Sequence, residues 1–260
     1  MSRPRFLDLP SRADKPRLSG LTHVLDKGSP VAEVEAVLSA SADAIDIWKL
    51  GWGTAYLDPG LGAKLPLLAR HDIRACVGGT LLEASWLQDK AADCLAWAEE
   101  AGFPCVEVSN GTVGMPLEEK HRLIREASER FVVLSEVGSK DPRVPVAPEA
   151  WGEEAAADLE AGASWVLTEG RESGTVGLYT SEGQVREDVL EAVTRAATPA
   201  RLIFEAPQKS QQAWLIRRFG HEVNLGNVRL DEVLGVEALR LGLRADTIKT
   251  PSTGDEAPPR

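Results

Sequence analysis

Short apolar runs rich in β-branched residues alternate with helix-patterned segments about eight times along the chain, and this alternation restricts the fold more than any other feature. The runs fall at 21–25, 44–48, 73–77, 105–108, 131–140, 165–168, 202–204 and 223–225. Helical patterns follow at 31–40, 60–70, 87–101, 117–130, 148–161, 185–197, 210–219 and 230–241. Runs that are apolar on both faces fit strands of a parallel sheet covered by helices, and regular alternation makes each connection a crossover. Eight such units in 260 residues match the length an eightfold barrel requires. The expected fold is therefore α/β, a single (β/α)8 TIM barrel over residues 1–248. That span includes a loose N-terminal arm, and a flexible tail rich in Pro, Ser, Thr, Asp and Glu occupies 249–260. A doubly wound open sheet is the competing architecture.

The stretch 131–140, FVVLSEVGSK, shows what the strands deliver. An apolar run stops abruptly at Ser135, Glu136, Gly138 and Lys140, so a carboxylate and an ammonium emerge together at a strand's carboxyl end. Every unit likewise ends its strand in polar residues or glycines. The strand ends carry Asp26 and Lys27, then Lys49, Gly51 and Gly53, then Gly78, Gly79 and Glu83, then Glu107 and Ser109. Beyond Glu136 and Lys140 come Glu169 and Arg171, then Glu205 and Lys209, and last Asn224 and Asn227. A barrel turns all of these toward one mouth. Carboxylates from several strands suggest a hard, oxygen-loving cation such as magnesium. Lysines and an arginine among them suggest a substrate bearing phosphate or carboxylate. The glycine pairs Gly51/Gly53 and Gly78/Gly79 would let backbone N–H groups approach an anion closely, or serve only as tight turns.

Other classes fit less well. A net charge of −11 and a pI near 5.0 argue against a general nucleic-acid or membrane-surface binder, though a local cationic cluster can still hold a small anion. No apolar run approaches bilayer length and the amino terminus carries no signal-peptide pattern, so a cytoplasmic location is expected. Cys76, Cys94 and Cys105 are odd in number and widely spaced, as reduced core thiols would be. His23, His71, His121 and His221 show neither metal-ligand spacing nor a Ser-His-Asp arrangement, and no GxGxxG opens a helix after a strand.

The strand-end motifs together carry a resemblance. GLT-x-V-x-DKG at 20–28, D-x-x-K-x-GWGT at 46–54, GGTL-x-E at 78–83 and E-V-S-x-G at 107–111 are followed by EVG-x-K at 136–140 and EGRESG at 169–174. FEAP-x-K-x-QQ at 204–212, VNL at 223–225 and LR-x-GLR-x-DT at 239–247 complete the series. In this order they resemble the phosphosulfolactate synthase family, (β/α)8 barrels that add sulfite to phosphoenolpyruvate with Mg2+ in coenzyme M biosynthesis. The resemblance implies a carbon–sulfur lyase with small anionic substrates, no nucleic-acid or membrane partner, and assembly as a homo-oligomer. It implies catalytic roles for Lys140, Glu136 and Lys49, with Lys140 as the general acid that protonates an enediolate. It further implies substrate contacts from Lys27, Arg171, Gly78, Gly79, Ser109, Lys209 and Asn224, and metal ligands among Asp26, Glu107, Glu169 and Glu205. Addition of a different nucleophile to phosphoenolpyruvate, or a non-catalytic stress-associated barrel, would preserve the same fold and much of the motif.

Overall fold

In a computed structural model describing residues 6–138 and 147–249, the strands close on themselves in chain order, β1 to β8, with every neighbouring pair parallel. They are β1 Thr22–Asp26, β2 Ile47–Leu50, β3 Arg74–Val77, β4 Cys105–Val108, β5 Val132–Val137, β6 Trp165–Thr168, β7 Leu202–Glu205 and β8 Leu225–Val228. The closing β1–β8 ladder shifts register between Thr22 and Val24. The helices are α1 Val31–Ser41, α2 Thr54–Leu57, α3 Leu61–Ala69, α4 Gly79–Trp86, α5 Ala91–Ala101, α6 Leu117–Ser128, α7 Pro148–Ala161, α8 Glu187–Ala196, α9 Lys209–Phe219 and α10 Val233–Arg240. The single (β/α)8 barrel expected from the alternation is the observed fold. None of these helices is long and apolar enough to cross a membrane.

Helix α6 shows how sequence makes these elements. Lys120, Leu123, Ile124 and Ala127 recur at helical spacing and are all buried, while Glu118 and Glu119 place negative charge in the first turn, behind Pro116. Helices α5 and α7 stop at Gly102 and Gly162, whose φ of 90° and 119° are left-handed values that glycine adopts without a Cβ penalty.

Several boundaries differ from the pattern-based reading, β2 among them, which runs Ile47–Leu50 rather than 44–48. The helix expected over 87–101 begins at Ala91, and a further helix, α4, opens at Gly79 directly after β3. Helix α8 starts at Glu187 because Val185 is used in a bridge to Tyr179 within the β6 loop. Strand β8 lies at Leu225–Val228 rather than 223–225, and this shift moves Asn224 to the opposite end of the barrel.

Two apolar layers result. One lies between sheet and helices, where Trp48, Leu68, Leu123, Trp151 and Phe204 are buried. The other fills the lower barrel interior with Leu21, Ile47, Cys76, Cys105, Leu134, Trp165, Leu167 and Ile203. Cys76 and Cys105 are register partners with free thiols. Burial, with Cys105 beside it, pushes the Cys76 thiol well up, as expected of a reduced core residue.

Candidate active site

Successive side chains on a strand point to opposite faces, so two residues above an interior position lies another interior position. Above Ile47 stands Lys49, above Cys105 Glu107, above Leu134 Glu136, above Leu167 Glu169, and above Ile203 Glu205. The interior thus changes from apolar to charged in one step of the pleat. These five residues, with Gly51, Trp52, Thr80, Arg171, Glu172 and Asn227 among others, line a cavity of about 350 Å³ at the carboxyl ends of the strands.

Lys49 is the centre of this layer. Its Nζ donates to Glu107 Oε2 at 3.0 Å and to Glu205 Oε1 at 3.2 Å, and all three residues are buried. Glu107 Oε1 accepts from the backbone N–H of Gly79 at 2.9 Å, and Glu205 Oε2 from that of Gly170 at 2.9 Å. Burial works against the charge on Lys49, but Glu107, Glu205 and Glu136 outweigh it and hold the ammonium well above the ordinary lysine range. Burial, with Glu136 and Glu107 nearby, pushes the Glu205 carboxyl up, opposed by Lys49 and the Gly170 N–H. Beneath the layer, His23 is buried and its Nδ1 accepts from the Asn227 N–H at 3.3 Å. Burial and the Lys49 charge push its imidazole well below the usual range, so the ring is neutral at pH 7.

The backbone is constrained at the same place. Trp52, Arg171 and Asn227 have φ of 54°, 53° and 51°, left-handed values uncommon for residues with a Cβ, and all three line the cavity. Glu169 Oε1 accepts the Arg171 N–H at 2.8 Å, which fixes that turn. Tyr179 from the β6 loop donates its hydroxyl to the Glu205 carbonyl at 2.5 Å, tying the loop to β7.

The fate of each expected site residue follows from these contacts. Lys49, Glu136, Arg171, Glu107, Glu169 and Glu205 meet in one cavity. Lys140 lies outside the described residues. Lys27 stands just outside, its Nζ 5.7 Å from the centre of the Trp52 ring, in a neighbouring recess of about 330 Å³ that it shares with Asn227 and Arg229. Gly79 brings its backbone N–H to a negative group, but that group is the protein's own Glu107, and the Gly78 N–H goes to the Leu50 carbonyl. Ser109 donates to Glu83, whose other oxygen accepts from the N–H groups of Thr112 and Val113, so this pair shapes the β4 loop from below.

Three placements correct the sequence-based expectation. Asp26 does not line the cavity. It is buried beside it, accepting from the N–H groups of Gly28 and Ser29, from Trp48 Nε1 and from Lys64 Nζ. Asn224 sits at the amino end of the barrel, where it accepts from the Leu21 N–H and donates to the carbonyls of Leu202 and Ala200. Lys209 opens α9 but points outward to Asp246 at 3.0 Å. Asn227, at the eighth strand end, and Glu172, within the EGRESG motif, line the cavity although the motifs assign neither a role.

Among the described residues no three carboxylate, imidazole or thiol groups converge as a metal cage. The cavity lining nevertheless carries Glu107, Glu136, Glu169, Glu172 and Glu205 against Lys49 and Arg171, an excess of negative charge.

Comparison with known proteins places this arrangement. The chain is 43% identical over 245 residues to the phosphosulfolactate synthase of Methanothermobacter thermautotrophicus, covering 92% of this chain and 95% of that one. It is 41% identical over 244 residues to the phosphosulfolactate synthase of Bacillus subtilis, covering 93% and 97%. Among solved structures, a 3-hexulose-6-phosphate synthase superposes with a TM-score of 0.57 at 17% identity, over 85% of this chain and 97% of that one. The YdjI aldolase of Escherichia coli K12 gives 0.55 at 15% identity, over 82% and 76%. At such identities these two speak to the barrel alone. Residues 10–246, which span every strand and the whole cavity, match the family described as (2R)-phospho-3-sulfolactate synthase (ComA), and the chain belongs to that family.

Proposed function

We propose that this protein catalyses the addition of sulfite to phosphoenolpyruvate, giving (2R)-O-phospho-3-sulfolactate. The sulfur lone pair forms a bond to the methylene carbon, the π electrons move toward the carboxylate as an enediolate, and a proton is then delivered to the phosphate-bearing carbon. The observation that carries the reading, beside family membership, is Lys49: a cation held charged by three glutamates at the floor of a small polar cavity.

Lys49 acts in this reading as a fixed positive charge. With its protonated form stabilised, it is a poor proton donor and a good partner for the carboxylate that gathers charge. Arg171, set at the rim on a left-handed turn, offers a planar fork of donors to phosphate or sulfonate. Lys140 is the proton donor, by its match to the EVG-x-K motif. Glu107 and Glu205 orient Lys49, and their oxygens are engaged by it and by backbone N–H groups.

The donor set suits Mg2+. It consists of carboxylate oxygens, and the negative excess has to be offset before two anionic substrates can enter together. Mg2+ is commonly held by one or two carboxylates plus substrate oxygens, which agrees with a lining that has acidic groups but, among the described residues, no closed cage. Glu136 and Glu169 would hold it, and when bound it would supply charge neutralisation at the substrate carboxylate.

Incubation with phosphoenolpyruvate, sulfite and Mg2+, followed by phosphorus NMR and mass spectrometry, tests the reading. A sulfolactate phosphate that forms with Mg2+ and not with chelator is the expected result. No such product from folded protein, at any Mg2+ concentration, would sink it. Turnover with a different nucleophile in place of sulfite would keep the mechanism and change the substrate.

A further inference from the structure

Lys120 occupies a position where an apolar side chain belongs. It is the first residue of the buried α6 stripe completed by Leu123, Ile124 and Ala127, and it is fully buried. Its Nζ makes three contacts. It donates to Asp158 Oδ2 at 2.7 Å and Glu154 Oε1 at 2.6 Å, both on α7, and to the backbone carbonyl of Glu136 at 2.8 Å.

The third contact has a topological cause. Along β5 the backbone groups alternate between the two neighbouring strands. The carbonyls of Val133 and Val137 accept from Ser164 and Glu169, on the β6 side, so the carbonyl of Glu136 faces β4. The β4–β5 ladder ends at Val108 and Ser135, one residue too early to supply it with a donor. A buried carbonyl without a partner is costly, and Lys120 reaches across from α6 to bond it.

The same carbonyl belongs to the residue whose carboxylate lines the cavity. Two residues further on, Gly138 has a φ of 112°, and a Cβ there would lie 2.2 Å from the Trp151 ring of α7. Helices α6 and α7 thus hold the carboxyl end of β5 from outside, through one cation and one aromatic ring. We propose that Lys120 is a positioning residue for the reaction: by hydrogen-bonding the Glu136 carbonyl, it sets where the Glu136 carboxylate stands relative to Lys49.

The turnover arm of the test rests on the sulfite-addition reading, whereas the exchange arm does not. Lys120→Met removes the donor and keeps the stem. Because it also strands two acids, the triple variant Lys120→Met/Glu154→Gln/Asp158→Asn is made beside it to remove that charge imbalance. Asp158→Asn alone perturbs the cluster but leaves Nζ and the carbonyl together. With folded protein, the expected result is a fall in kcat of about ten- to a hundredfold for both variants lacking Nζ, because small misplacements of a catalytic group are costly. KM for phosphoenolpyruvate should stay within about threefold, and Asp158→Asn should keep kcat within about threefold even where its Tm drops. In parallel, amide exchange at Glu169, whose N–H bonds to the Val137 carbonyl, should accelerate at least tenfold in the triple variant relative to exchange at Ser164. A triple variant with parental kcat, or with kcat falling only in step with Tm across all three proteins, would overturn the proposal. If the parent itself shows no sulfite addition, the exchange arm decides alone: unchanged protection at Glu169 refutes positioning, and selective loss supports it.

Discussion

Lys49 Nζ and Glu107 Oε2 stand 3.0 Å apart across the barrel lumen, joining β2 to β4 over the top of β3. Neither group would survive burial alone. Together with Glu205 they form a charged floor under the cavity, and the backbone N–H groups of Gly79 and Gly170 complete the carboxylates' hydrogen bonding.

Lys49→Met should therefore damage both stability and turnover. It strands two buried carboxylates, a class of change that costs about 3–5 kcal/mol. Turnover should fall at least about a hundredfold through loss of the fixed charge. Denaturant melts and steady-state kinetics check the two effects separately, and a stable, active Lys49→Met protein would remove the lysine from the mechanism.

His23 makes the fold sensitive to mild acid. Burial and Lys49 hold its folded-state pKa well below the unfolded value of about 6.5. Below that pH the unfolded chain binds a proton that the folded one does not. The stabilising contribution is thus complete above pH 6.5 and is lost as pH falls toward the folded-state value, at up to about 1.4 kcal/mol per pH unit. His23→Phe should lose this slope. Its cost relative to the parent, set by the lost acceptor for the Asn227 N–H, should shrink between pH 6.5 and 5 in urea unfolding.

Gly79→Ala tests the close approach of backbone to carboxylate. The added Cβ would fall 2.3 Å from Ser109 Oγ and 2.9 Å from Glu107 Oε1, so both must shift. A loss of about 1–3 kcal/mol is expected from the overpacking. Displacement of Glu107 should also lower kcat by at least about tenfold, as measured against the stability-matched parent.

Asn224 and Lys209 should behave as structural residues. Asn224→Ala removes a side chain that bonds Leu21, Ala200 and Leu202 at the far end of the barrel. It should cost about 2–3 kcal/mol with KM unchanged. Lys209→Ala breaks only an exposed pair with Asp246 and should shift stability by less than about 1 kcal/mol. A tenfold rise in KM for phosphoenolpyruvate in either protein would return that residue to the site.

Alternation of apolar strands with amphipathic helices sufficed to specify the closed barrel, because a parallel sheet needs a crossover after every strand and eight of them fill this length. The period-2 pleat likewise made the carboxyl-end residues Lys49, Glu107, Glu136, Glu169 and Glu205 legible as a group, since each stands two residues above an interior apolar position. What the sequence alone left undecided was how the polar groups divide between chemistry and support. Asp26 and Glu107 look alike at a strand end. Tertiary packing gives Asp26 to Lys64, Trp48 and two backbone amides outside the barrel, and gives Glu107 to Lys49 inside it. Asn224 and Asn227 differ by three residues, yet the start of β8 sends one to the base of the barrel and the other to its mouth. Local pattern records which residues alternate. Only closure of the barrel brings positions 58 and 156 residues distant within hydrogen-bonding reach of a single ammonium, and that proximity decides the charge Lys49 carries.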